Sequence, residues 1–96
     1  MNKTNIYSKI QNYFRDKPVK KVEVIGSYAR NQEKDASDID IIITLDKQVS
    51  LFQLSGYRLA LEHLLGIKVD LTTKAGIDPL ILPYIEDEIE TIYESA

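Results

Sequence analysis

The 96 residues make one small domain, 44% hydrophobic and 28% charged, with a net charge of −3. The chain has no apolar run of membrane-spanning length, and its N-terminus (Asn2, Lys3, Thr4, Asn5) is too polar for a signal peptide. Cys is absent, which excludes disulfides, thiol catalysis and Cys-ligated zinc and fits a cytoplasmic address, while the acidic balance argues against tight binding to duplex nucleic acid.

The charge is uneven. Lys3, Lys9, Arg15, Lys17, Lys20 and Lys21 stand near the start against Asp16 alone, and Glu86, Asp87, Glu88, Glu90 and Glu94 crowd the end without a base. Two solvated surfaces explain this; a basic rim for a polyphosphate or an acidic partner is the sharper alternative. Ile6, Ile10, Tyr13 and Phe14 fall on one helical face, with Thr4 as the expected N-cap and Pro18 as the stop. Val22-Glu23-Val24-Ile25 reads as a short strand by its β-branching. Gly26-Ser27 breaks it, and Tyr28 to Gln32 fits a helical turn. Asn31 to Ser37 are polar turn formers and read as a loop.

The next strand spans Ile39 to Leu45. Alternation puts Asp38, Asp40 and Ile42 on one face and Ile39, Ile41 and Ile43 on the other, which is core. Ser50 and Gln53 form a capping-box pattern that opens a helix through Leu51, Leu54, Arg58, Leu61 and Leu65, and Gly66 stops it. Ile67, Val69 and Leu71 then alternate with Lys68, Asp70 and Thr72 in a third strand. Asp78-Pro79 resembles an N-cap with proline at the first helical position, predicting a helix to about Glu88, with Pro83 tolerated only within about the first turn. Thr91-Ile92-Tyr93 closes the chain as a short strand. Alternating helices and strands with short loops predict an α/β or α+β sheet with helices on one side. Strand order stays open.

Three carboxylates stand out. Asp38 and Asp40 project the same way, roughly 7 Å apart along the strand. Asp70 joins them if its strand is a neighbour. Without a cation such acids repel and raise at least one pKa; oxygen ligands that need phosphate to complete their shell describe Mg²⁺. Asp38 also fits an ordinary turn, and Asp70 a surface acid paired with Lys68 or Lys74. Asp40, set among isoleucines, is expensive unless paired or metal-bound. The Gly26-Ser27 turn offers backbone N–H groups and a hydroxyl to an anion. Arg30 fits both phosphate compensation and a surface role. His63 has no partner His or Cys nearby and reads as structural.

Gly26-Ser27-Tyr28-Ala29-Arg30, then Ser37-Asp38-Ile39-Asp40, then Asp70 within Val69-Asp70-Leu71 resemble the minimal nucleotidyltransferase (MNT) domain of the DNA polymerase β superfamily. The resemblance covers nearly the whole chain, residues 1–96, as a single domain. It departs at Asn31, where the family usually has Gly; Asn tolerates φ > 0 best among the other residues. It implies a nucleotidyltransferase fold, a small mixed β-sheet with helices packed on one face. It implies Gly26 and Ser27 at the triphosphate, two Mg²⁺ ions on Asp38 and Asp40, and Asp70 as third carboxylate near the attacking hydroxyl. A chain of this length is expected to leave no room for an acceptor domain of its own. The resemblance therefore implies a partner, usually a helical HEPN protein, and an antitoxin that transfers AMP from ATP to its partner's tyrosine. Two alternatives remain at this level: a binding module that neutralises a partner by contact, and nucleotidyl transfer to a nucleic-acid end or a small molecule.

Overall fold

A computed structural model describes residues 2–30 and 38–95. Along the chain run α1 (Lys3–Phe14), β1 (Val19–Ile25), β2 (Ile39–Leu45), α2 (Leu51–Leu65), β3 (Val69–Thr73), α3 (Leu82–Ile85) and β4 (Glu90–Glu94), with 3₁₀ turns at Lys74–Gly76 and Glu86–Glu88. The strands form one sheet in the order β3-β2-β1-β4. β1 pairs antiparallel with both β2 and β4, while β2 and β3 run parallel with α2 as their crossover. The expected small mixed sheet is present.

One sheet face is core. Val22, Val24, Ile39, Ile41, Ile43 and Val69 pack there with Ile6, Ile10 and Phe14 of α1 and Tyr57, Leu61 and Leu65 of α2. Period two in the strands and 3.6 in the helices supply these facing stripes. Edge-to-face rings of Tyr13, Phe14 and Tyr57 bind α1 to α2. α2 begins and ends as its sequence predicts. The Ser50–Gln53 capping box is complete in both directions, and Gly66 closes the helix at φ 70° with its N–H on the Glu62 carbonyl.

Four boundaries differ from expectation. The N-cap of α1 is Asn2, whose side chain accepts from the N–H of Asn5, while Thr4 lies inside the helix. β1 begins at Val19 because an irregularity between Val19 and Lys21 lets Val19 pair with Leu45. Tyr28 to Arg30 continue a turn from Gly26, closed by Arg30 N–H on the Gly26 carbonyl at 3.1 Å, with Tyr28 buried in the core. Asp78 caps a tight turn, accepting from Leu80 N–H at 2.9 Å, and α3 starts later. Pro83 explains that delay: it has no N–H to donate back to residue 79, so helix forms only where Pro83 occupies the first turn. The Asn31–Ser37 loop, and with it Asn31, lies outside the described residues. Among the described residues no helix is long and apolar enough to cross a membrane.

Candidate active site

The second sheet face carries the charge. Residues directly opposite in neighbouring strands project to the same side, so the register lays out its rows. Ile25, Asp40 and Asp70 form one row; Glu23, Ile42 and Thr72 the next; Lys21 and Thr44 the third. Asp40 and Asp70 are thus direct cross-strand neighbours in a parallel pair. Asp38 sits just before β2, exposed, and Asp40 is half-buried.

Asp40 shows the strain of this arrangement. Burial pushes its carboxyl above the ordinary 3.8; the charges of Asp70 and then Asp38 push the same way, as does a hydrogen bond with Asp70, and Arg30 opposes them. Both of the other aspartates therefore act on Asp40. The chemistry of the three aspartates suits a divalent cation: they offer carboxylate oxygens alone, and their conflict is one that positive charge removes. Among the described residues no three Asp, Glu, His or Cys side chains already stand as a metal-holding cluster. The fold brings Asp40 and Asp70 into register and leaves Asp38 at the strand's mouth.

Gly26 bounds the site on the other side. Its φ is 78°, in the left-handed region, and a Cβ built on it would lie 2.5 Å from Oδ2 of Asp40. Only glycine lets the turn approach the carboxylate this closely. Ser27 is half-buried beside it. Arg30 closes the turn and pairs with Glu88 at 3.0 Å, at an exposed position. His63 is exposed on α2.

Sequence reasoning missed two partners. Glu23 is the buried charged residue of the described core, 4% exposed, with Lys21 at 3.9 Å and Lys74 at 3.7 Å. Its alternation with Val22 and Val24 was the available signal. Glu88 joined the acidic tail in the sequence, and nothing local pointed to Arg30.

The fold and this face, with two carboxylates in register beside a glycine turn, point to the class of enzymes that move a nucleotide phosphate. A family model of the nucleotidyltransferase domain matches residues 7–92. A Methanocaldococcus jannaschii protein assigned as a protein adenylyltransferase is 39% identical over 88 residues, covering 92% of this chain and 95% of its own. Among solved structures, a chain assigned as a minimal nucleotidyltransferase superposes with TM-score 0.79 at 25% identity, covering 94% of this chain and 95% of its own. The MNT antitoxin in complex with a tri-AMPylated HEPN toxin from Shewanella oneidensis shares the fold, with TM-score 0.78 at 17% identity, covering 98% of this chain and 74% of that one. This chain belongs to the nucleotidyltransferase domain family, in its minimal form.

Proposed function

We propose that residues 1–96 act as a single nucleotidyltransferase domain in the cytoplasm, transferring AMP from ATP to a tyrosine hydroxyl of a HEPN-type partner, as the antitoxin of a toxin–antitoxin pair. The observation that carries this is the register of Asp40 with Asp70 beside a glycine whose Cβ space Asp40 occupies. Similarity to a protein adenylyltransferase supports the transferred group, and the fold shared with an antitoxin bound to an AMPylated toxin supports the partner. A protein acceptor also suits the connection between β3 and β4. It exposes Leu80, Ile81 and Tyr84, and its end touches Arg30 of the turn through Glu88.

In this reading the Gly26-Ser27 turn seats the triphosphate with its N–H groups and the Ser27 hydroxyl. Arg30 exchanges Glu88 for a phosphate oxygen. Asp38, Asp40 and Asp70 would hold two Mg²⁺ ions, which acidify the acceptor hydroxyl and neutralise charge on the leaving pyrophosphate. Asp70 takes the proton of the acceptor hydroxyl. The acceptor oxygen bonds to the α-phosphorus as the bond to the pyrophosphate oxygen breaks, in line. The core-facing side of the sheet keeps these groups fixed.

The test is incubation with α-labelled ATP, Mg²⁺ and the product of the adjacent reading frame. Label should appear on the partner and vanish when Asp40→Asn replaces the wild type. A folded wild-type protein that leaves the partner unlabelled overturns the reading. Neutralisation that survives Asp38→Ala with Asp40→Ala would instead assign contact alone.

A further inference from the structure

The third carboxylate rides on an edge strand of the sheet. β3 has five residues, lies at an edge and pairs with β2 alone. Asp70, near its start, stands in register with Asp40, so two like charges push β3 away from β2 at that point. Two contacts oppose the push. At the near end the N–H of Val69 donates to the Glu62 carboxylate at 3.0 Å. At the far end, directly after β3, Lys74 reaches across the sheet to Glu23 on β1.

That second contact is unusual in its span. β1 and β3 flank β2, so they lie about 10 Å apart, two strand spacings. The Lys74 ammonium crosses over β2 to stand 3.7 Å from Oε1 of Glu23. Glu23 is 4% exposed, and β2 contributes the buried Ile42 beside it. A buried carboxylate is costly to keep, and in this low-polarity setting its attraction for a cation is less screened than at the surface. Lys21 also faces Glu23, at 3.9 Å, but it sits on β1 itself and ties nothing to it from another strand. Both lysines offset the charge of Glu23, and of the two only Lys74 joins β1 to the end of β3.

We propose that Glu23 and Lys74 are positioning residues, an ion pair that spans the sheet from β1 to β3 and holds Asp70 beside Asp40 against their mutual repulsion. The inference rests on the reading of Asp70 as a carboxylate of the active site. It adds a device for keeping that carboxylate in place before any cation arrives.

The experiment measures backbone hydrogen exchange across residues 69–73 in the metal-free full chain, alongside AMP transfer. Lys74→Met should speed exchange there several-fold and lower kcat about tenfold, the usual scale for losing a supporting contact, with KM for ATP little changed. Glu23→Gln should do the same; should it fail to fold, the half-exposed Lys74 still carries the test. Lys74→Arg should restore both readouts, and Lys21→Met should leave both near wild type. In an Asp70→Asn background the repulsion is gone, so Lys74→Met should no longer speed exchange. The proposal falls if Lys74→Met changes neither readout, if Lys21→Met matches it, or if the acceleration persists with Asp70→Asn. A wild type that labels no partner sinks the functional reading alone, because the exchange measurements still judge the tie.

Discussion

The two faces of one sheet obey opposite rules. On the core face, Val22, Val24, Ile39, Ile41 and Ile43 are buried against two helices, and every neighbour stabilises every other. On the opposite face, β1, β2 and β3 carry Glu23, Lys21, Asp40 and Asp70, where Asp40 and Asp70 repel while Lys21 attracts Glu23. Alternate residues of β2, one position apart, thus serve the fold and the site. The comparison shows where stability is made and where it is spent: the apolar face must hold the charged face in a geometry that it would leave if free.

Substitutions on the two faces should therefore move stability and activity in different directions. The largest effect on stability belongs to the core. Phe14→Ala removes a fully buried ring and should cost about 3–5 kcal/mol, read as a drop in the denaturant midpoint, with transfer activity per folded molecule preserved. If activity per folded molecule fell equally, the two faces would not be separable.

Asp40→Asn should do the reverse. AMP transfer should fall by more than about a hundredfold, because a carboxylate that binds the cation is lost. The melting temperature without Mg²⁺ should rise, because a half-buried charge facing Asp70 and Asp38 has been removed. A variant that is both inactive and less stable would show that Asp40 supports the fold after all.

Gly26→Ala tests the contact between turn and carboxylate. The new Cβ would meet Oδ2 of Asp40 and sit at φ 78°, so the turn or the carboxylate must shift. Transfer should fall sharply in a protein whose far-ultraviolet spectrum is unchanged. Normal transfer would mean that the turn tolerates more space than its geometry shows.

The pH dependence sharpens the contrast further. The folded pKa of Asp40 lies above its ordinary 3.8, so between those values the folded chain keeps a proton that the unfolded chain has lost. Its contribution to stability is complete below the ordinary value and disappears as pH rises through the folded one. Chemical denaturation across this range without Mg²⁺ should show that decline, and Asp40→Asn should flatten it. The smallest effect is expected at Glu88. Glu88→Gln removes an exposed partner of Arg30, which should leave stability nearly unchanged and lower KM for ATP slightly. An increase in KM would mean that Glu88 orients Arg30 rather than competing for it.

Local signals in the sequence reached the elements whose cause is local. The Ser50–Gln53 box and Gly66 bound α2 because capping involves residues three or four apart. Alternation assigned Ile39, Ile41 and Ile43 to the core because a strand's faces depend on parity alone. It failed at Thr4, where Asn2 offered an equally good cap two residues earlier, and at Asp78, where Pro83 decided the helix start from further along. The motif residues Gly26, Asp40 and Asp70 were legible as chemistry. Their contact was not, because strand order and register are properties of pairing between segments.

The sequence by itself determined which residues can carry the reaction and which side of each strand they occupy, since side-chain chemistry and a period of two need no neighbours. Only the tertiary structure decided that Asp70 lies opposite Asp40, that Gly26 presses against Asp40, and that Lys74 meets Glu23 across β2. These contacts join segments far apart in the chain, and they exist because burying the apolar face of each strand fixes a single sheet order, which then sets every charge on the opposite face.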